Sequence, residues 1–109
     1  MPRLRLTRAA RRDVERLRQF LESKNPEASK RAAQAIKNAI KAIAKQPEAH
    51  RPVPEMMFHR EVIIAFGSSG YIARYFYKPG TDEIILLRIK HHLEDELTED
   101  VAPTYNAPL

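Results

Sequence analysis

The sequence predicts an α+β fold of order β-α-α-β-β-β, a helical hairpin packed on a small antiparallel-meander sheet. Three observations predict it. Residues 60–91 hold three short apolar segments rich in β-branched and aromatic residues, divided by turn chemistry. Residues 8–45 carry two stripes of apolar residues at helical spacing. Ahead of them, Arg3-Leu4-Arg5-Leu6 alternates charge with apolar side chains, the pattern of a half-buried strand.

Each element has its own signals. Thr7 is a good N-cap for a helix from Arg8, with Ala10, Val14, Leu17 and Leu21 on one face and Phe20 widening it. Ser23-Lys24-Asn25-Pro26 stops that helix, because the residue before a proline is biased away from the α region. Asn25 can cap a second helix with Pro26 at its first position and Glu27 near the positive end of its dipole. Its inward face reads Ala28, Ala32, Ala35, Ile36, Ala39, Ile40 and Ile43, small enough for close approach to a neighbour. Gln46-Pro47 ends it, and so short a connection between the helices predicts an antiparallel hairpin. His50 to Glu55 is an extended, proline-rich crossover. Gly67 to Gly70 and then Pro79-Gly80 with Asp82 make the two corners of the meander. A lone three-stranded meander cannot cover its apolar face, so the helices must. The first strand is expected to join the sheet against the second or the fourth. Residues 1–97 are read as one domain and 98–109 as a flexible tail, with a helical turn or two expected in the acidic stretch Leu93 to Asp100.

Composition narrows the class. No apolar run approaches the roughly 18 residues of a membrane span, and the first residues lack a secretory pattern, so a cytoplasmic protein is expected. Without cysteine there is no disulfide framework and no thiolate zinc site. Charge is unevenly spread. Through Arg60 there are 15 Lys or Arg against 6 Asp or Glu; from Glu61 onward there are 4 against 8, which together give the net +5. A basic half favours an anionic partner, nucleic acid or acidic protein, and is equally consistent with a solvated helical surface.

Five stretches in order carry a resemblance. Leu6 to Asp13, Asn25-Pro26-Glu27-Ala28, Pro47 with Arg51-Pro52-Val53-Pro54-Glu55, Tyr71 to Tyr75, and Ile85 to His91 resemble the RelE/ParE superfamily of bacterial toxins, ParE-like branch, over residues 3–95. The resemblance implies a RelE/ParE-like fold. It also implies the toxin of a type II toxin–antitoxin pair, neutralised by a cognate ParD-like antitoxin that wraps around it. RelE-like members cleave messenger RNA at the ribosome; ParE-like members inhibit DNA gyrase and block replication.

The residues weigh on that choice. Cleavage through a 2′-hydroxyl needs a base, an acid and cations for the developing phosphorane charge. The resemblance places these on sheet lysines and arginines and a tyrosine near the C-terminus. Here Val62 to Ala65 offers no cation, Ile72 stands where many relatives carry arginine, and Leu93 to Leu97 is acidic, which disfavours phosphate. No catalytic residue, cofactor or metal site is therefore assigned. Adjacent His91 and His92 on a strand point to opposite faces and do not chelate, although His91 has the chemistry of a neutral-pH base. Arg60, Arg74, Arg88, Lys90 and His91 are the candidates for contact with the target. Alternation puts Arg74 on the face of Ile72 and Phe76, and Arg88 and Lys90 on that of Leu86; an exposed face with snorkelling stems is the plainer alternative. Val14, Leu17, Phe20 and Leu21 are the candidates for an antitoxin groove. Tyr71, Tyr75 and Tyr77 share one alternation face and read as core more than as base-stacking platforms. The expected partners are the antitoxin and gyrase, with a homodimer or a heterotetramer with antitoxin as the assembly; neither membrane nor sequence-specific DNA binding is expected. A ribosome-dependent endoribonuclease and a non-toxic partner-binding relative are the alternatives.

Overall fold

In the computed structural model, which describes residues 2–66 and 69–91, the elements are β1 (Arg3–Leu6), α1 (Arg8–Lys24), α2 (Pro26–Lys45), β2 (Arg51–Pro52), β3 (His59–Phe66), β4 (Ser69–Phe76) and β5 (Glu83–His91). The helices form one layer and a five-stranded mixed sheet the other, in order β1-β5-β4-β3-β2. The meander β3-β4-β5 is antiparallel as expected. The first strand joins the last meander strand, one of the two expected neighbours, and runs parallel to it from Arg3 opposite Glu83 to Leu6 opposite Leu86. One strand was not anticipated: Arg51 and Pro52 of the crossover pair with Glu61 and Arg60. Proline tolerates such an edge position because its missing N–H faces no partner. The acidic stretch from Leu93 and the tail from 98 lie outside the described residues.

The helix boundaries follow the capping residues. The Thr7 hydroxyl accepts from the Ala10 N–H at 3.0 Å. Asn25 serves both helices: its N–H donates to the Leu21 carbonyl at 2.7 Å, and its side-chain oxygen accepts from Glu27 and Ala28. One residue thus closes α1 and opens α2, which leaves the hairpin no slack.

Between the layers, Ala10, Leu17, Ala32, Ile36 and Ile43 meet Ile64, Tyr71, Ala73, Tyr75, Ile84, Leu86 and Ile89. The three tyrosines are core, as their alternation predicts. Ser29 belongs to the buried stripe too, its hydroxyl 3.4 Å from the Arg18 carbonyl across the hairpin.

Strand β5 carries a phase slip. Arg88 lies opposite Arg74, but Leu86, two residues earlier, lies opposite Tyr75, so Leu87 has no counterpart on β4. Successive carbonyls of a regular strand point to opposite edges, whereas those of Leu86 and Leu87 both accept from Thr7, from its N–H at 3.0 Å and its hydroxyl at 2.8 Å. The bulge corrects one expectation. Leu86 is core, while Arg88 and Lys90 lie on the opposite face with Arg74 and Ile72. The continuous apolar run Ile84 to Leu87 hides the slip, since either parity satisfies it.

Gly70 has a steric reason. A Cβ there would stand 2.8 Å from the Ile64 carbonyl oxygen, a backbone atom that cannot yield without moving the ladder. Gly70→Ala is expected to lower stability by about 1–3 kcal/mol in urea unfolding. Gly80→Ala, at φ +91° with open space around it, should cost only about 1 kcal/mol through backbone strain.

Candidate functional site

The arginines on the sheet face turned away from the helices are held by two carboxylates, one on that face and one on α1. Glu61 on β3 accepts from Arg51 of β2 at 2.5 Å and from Arg74 of β4 at 2.9 Å. Strand pairing sets this up, since Glu61 stands opposite both Arg51 and Arg74. The second carboxylate, Asp13 of α1, is 3% exposed. It accepts from Arg88 Nε at 2.7 Å, from Arg88 Nη2 at 3.1 Å, from Arg16 at 3.3 Å and from the Ile89 backbone N–H at 2.9 Å. Each carboxylate is therefore held between two guanidinium groups. An incoming phosphate would compete with an oxygen already in place, in the geometry that guanidinium pairs best.

The five residues singled out for target contact separate into three locations. Arg74, Arg88 and Lys90 share this outer face, with Lys90 buried beside Ile72. His91 lies on the helix side, its ring edge-on to Tyr71 at 5.6 Å between centroids. Arg60 also faces the helix side, donating to the His50 carbonyl at 2.6 Å below the end of α2. The four α1 residues expected to meet the antitoxin differ in exposure. Leu17 is core, Val14 and Leu21 are half-buried against it, and Phe20 alone is exposed, at 56%, with the Lys24 ammonium 5.1 Å from its ring centre. The stripe is consumed by packing against α2 and β5.

Residues 53–59, expected only as an extended crossover leading into the meander, hold a second feature. Glu55 and Phe58 adopt positive φ, 63° and 65°, a region that costs non-glycine residues energy. Met57 and Phe58 project into solvent, and with Pro52, Met56, Tyr77 and Pro79 they line a groove of about 540 Å³. His59 beneath them meets the Met57 carbonyl through Nδ1 at 2.8 Å, so Nδ1 carries the proton. Its Nε2 is buried without a hydrogen-bond partner. Two adjacent methionines and a phenylalanine after a proline-rich run were the available signal.

Below the sheet, the Tyr75 hydroxyl donates to the Pro47 carbonyl at 2.6 Å. Burial pushes it from the ordinary 10.0 up to about 12, against the opposing pull of Arg60. No group of three or more His, Cys, Asp or Glu among the described residues is placed to hold a metal ion, and no described helix is long and apolar enough to cross a membrane.

Comparison with known proteins shows what the chain is similar to. Residues 4–96 match the family model of the ParE toxin of the type II toxin–antitoxin system, parDE. A curated protein of Caulobacter vibrioides, Toxin RelE3, is 34% identical over 85 residues, 78% of this chain and 88% of that protein. A solved chain from the chromosomal ParDE TA system of P. aeruginosa superposes with a TM-score of 0.64 at 26% identity, covering 84% of this chain and 96% of that one.

Two outcomes test the geometry. Asp13→Ala leaves Arg88 and the Ile89 N–H without their acceptor and is expected to cost about 3–5 kcal/mol in chemical denaturation. Asp13→Asn, which retains an acceptor, should cost less. The folded state also holds the Tyr75 proton more tightly than the unfolded chain does. That contribution is complete below pH 10 and is lost as pH rises toward about 12. Stability should fall across that window together with the appearance of phenolate absorbance, and Tyr75→Phe should remove this part of the fall.

Proposed function

The chain belongs to the ParE toxin family of type II toxin–antitoxin systems, and from that premise we propose that it arrests growth by inhibiting DNA gyrase without cleaving nucleic acid. One observation carries the choice of target: the outer-face arginines Arg51, Arg74 and Arg88 each pair with a carboxylate, Glu61 or Asp13. Stabilising a phosphorane requires cations poised around developing negative charge. A face whose guanidinium groups already embrace carboxylates instead suits docking onto a protein surface, where paired charges set orientation. His91 packs on Tyr71 on the opposite side, and His59 hydrogen-bonds the Met57 carbonyl. In this reading the protein acts in the bacterial cytoplasm and is held inactive by a ParD-like antitoxin.

A second reading is favoured by the curated relative that bears a RelE name, namely messenger cleavage at the ribosome. Two assays separate them. Purified protein added to gyrase is expected to block supercoiling of relaxed plasmid and to leave messages intact in a translating extract. Codon-specific cuts in ribosome-bound messages with supercoiling untouched would reverse the assignment. Expression of the chain alone should stop growth; unimpaired growth would mark a partner-binding relative that has lost toxicity.

A further inference from the structure

One end of the helix layer gathers cations that the fold does not neutralise. Arg8, Arg11 and Arg12 lie in the first turns of α1, and Lys37, Lys41 and Lys45 in the later turns of α2, all of them exposed. Asn25 alone joins the helices, and Ser29 reaches back to the Arg18 carbonyl, so α2 runs antiparallel beside α1. The start of α1 therefore stands beside the end of α2, and the two sets of charges meet there. Among the described residues none of the six has an ion pair or a side-chain hydrogen bond. The acids nearby are few: Glu15 is held by Arg18 at 2.8 Å, and Glu48 sits at the rim beyond Lys45. The arginines also stand at the positive end of the α1 dipole, in a helix whose first turn has no acid. Dipole and side chains thus add to one positive field.

The make-up of the patch specifies the kind of partner. A protein-docking surface centres on apolar anchors, and the exposed large hydrophobics, Phe20, Met57, Phe58 and Ile63, all lie elsewhere. Single strands are held by exposed rings on which bases stack, whereas Tyr71, Tyr75 and Tyr77 are buried in the core. A phosphate backbone needs only charge at regular intervals. Four residues of helix advance about 6 Å, so Lys37, Lys41 and Lys45 form a row with a step close to that between successive phosphates. The arginines of α1 form a second row one interhelical distance away, about 8–10 Å. Two such rows can address both walls of the narrow minor groove of B-DNA, about 6 Å wide; an RNA duplex opens a wide, shallow minor groove instead. We propose that this end of the helix layer binds the backbone of duplex DNA without regard to sequence, through Arg8, Arg11, Arg12, Lys37, Lys41 and Lys45. The inference does not draw on the choice of gyrase as target, and it concerns the side of the molecule opposite the paired arginines.

A fluorescent mixed-sequence DNA duplex of about 20 base pairs is the probe, titrated with the full chain over a range of salt concentrations. Six phosphate contacts predict a slope of log affinity on log salt of about −5, a loss of roughly a thousandfold between 50 and 200 mM. Combining Lys37→Gln, Lys41→Gln and Lys45→Gln should make the slope shallower by about 3; glutamine keeps the helix propensity of lysine. Lys24→Gln with Lys30→Gln, at the opposite end of the hairpin, should leave the slope unchanged. An equal fall per charge at both ends would overturn the proposal, since binding would then follow net charge and not the patch. Should the triple variant fail to fold, the unaltered chain carries the test: no binding at 50 mM salt, or a slope shallower than about −2, overturns it. Tighter binding to an RNA duplex, to single-stranded DNA or to a polyglutamate peptide of matched charge would overturn it as well, the last result marking an acidic protein as the occupant. Supercoiling blocked by a chain that does not bind the duplex would sink this inference alone, whereas duplex binding with gyrase unaffected would sink the functional reading alone.

Discussion

The carboxylate of Asp13 decides how the two layers meet. Strand β1 serves the outer edge of β5 only as far as Leu86, after which the chain turns into α1. A strand deserted by its neighbour has backbone donors and acceptors to satisfy. Two side chains take over. The Thr7 hydroxyl donates to the Leu87 carbonyl while capping α1, and Asp13, six residues along, receives the Ile89 N–H together with the Arg88 guanidinium. The bulge at Leu87 turns its carbonyl toward Thr7, so the bulge, the cap and the buried acid work as one joint. Breaking a buried ion pair is far more costly than never having built one, which makes this joint the place where α1 is registered against the sheet.

The joint also settles the electrostatics of the outer face. By shifting the phase of β5, the bulge brings Arg88 onto the side of Arg74, and the same joint gives Arg88 a carboxylate. On the other flank, Glu61 does for Arg74 and Arg51 what Asp13 does for Arg88 and Arg16. Two kinds of cationic residue therefore stand out: arginines locked into pairs on the sheet (Arg51, Arg74 and Arg88), and lysines on α2 that stand in solvent (Lys37, Lys41 and Lys45). The first kind fixes geometry. The second kind makes the long-range field that draws in acidic surfaces.

The helices were fully legible because their boundaries are written in local chemistry: Thr7, Asn25, Pro26 and Gln46 each act on backbone groups within a few residues. The meander was legible for the same reason. What sequence reasoning missed depends on partners far away in the chain. Nothing local distinguishes Asp13 from the surface acids of α1, since its partners are 75 and 76 residues distant. The phase slip at Leu87 sits inside four apolar residues that fit either face. Leu17 and Phe20 could not be separated by periodicity alone, because both edges of an amphipathic stripe look alike until a neighbouring helix covers one of them. That Arg60 and His91 lie on the helix side, apart from the outer-face arginines, follows from the register, which only the fold supplies.

The pairing of Arg3–Leu6 with Glu83–Leu86 has a consequence for how the protein is born. Strand β1 waits for β5, some 80 residues later, and the Thr7 and Asp13 contacts wait with it. Contacts of such sequence separation form only after a large loop has closed. During synthesis, a nascent chain that has passed α2 holds a helical hairpin and no sheet to lay it on. A chain interrupted before β5 therefore lacks the strand that β1, Thr7 and Asp13 contact, and α1 has nothing to register it against the sheet.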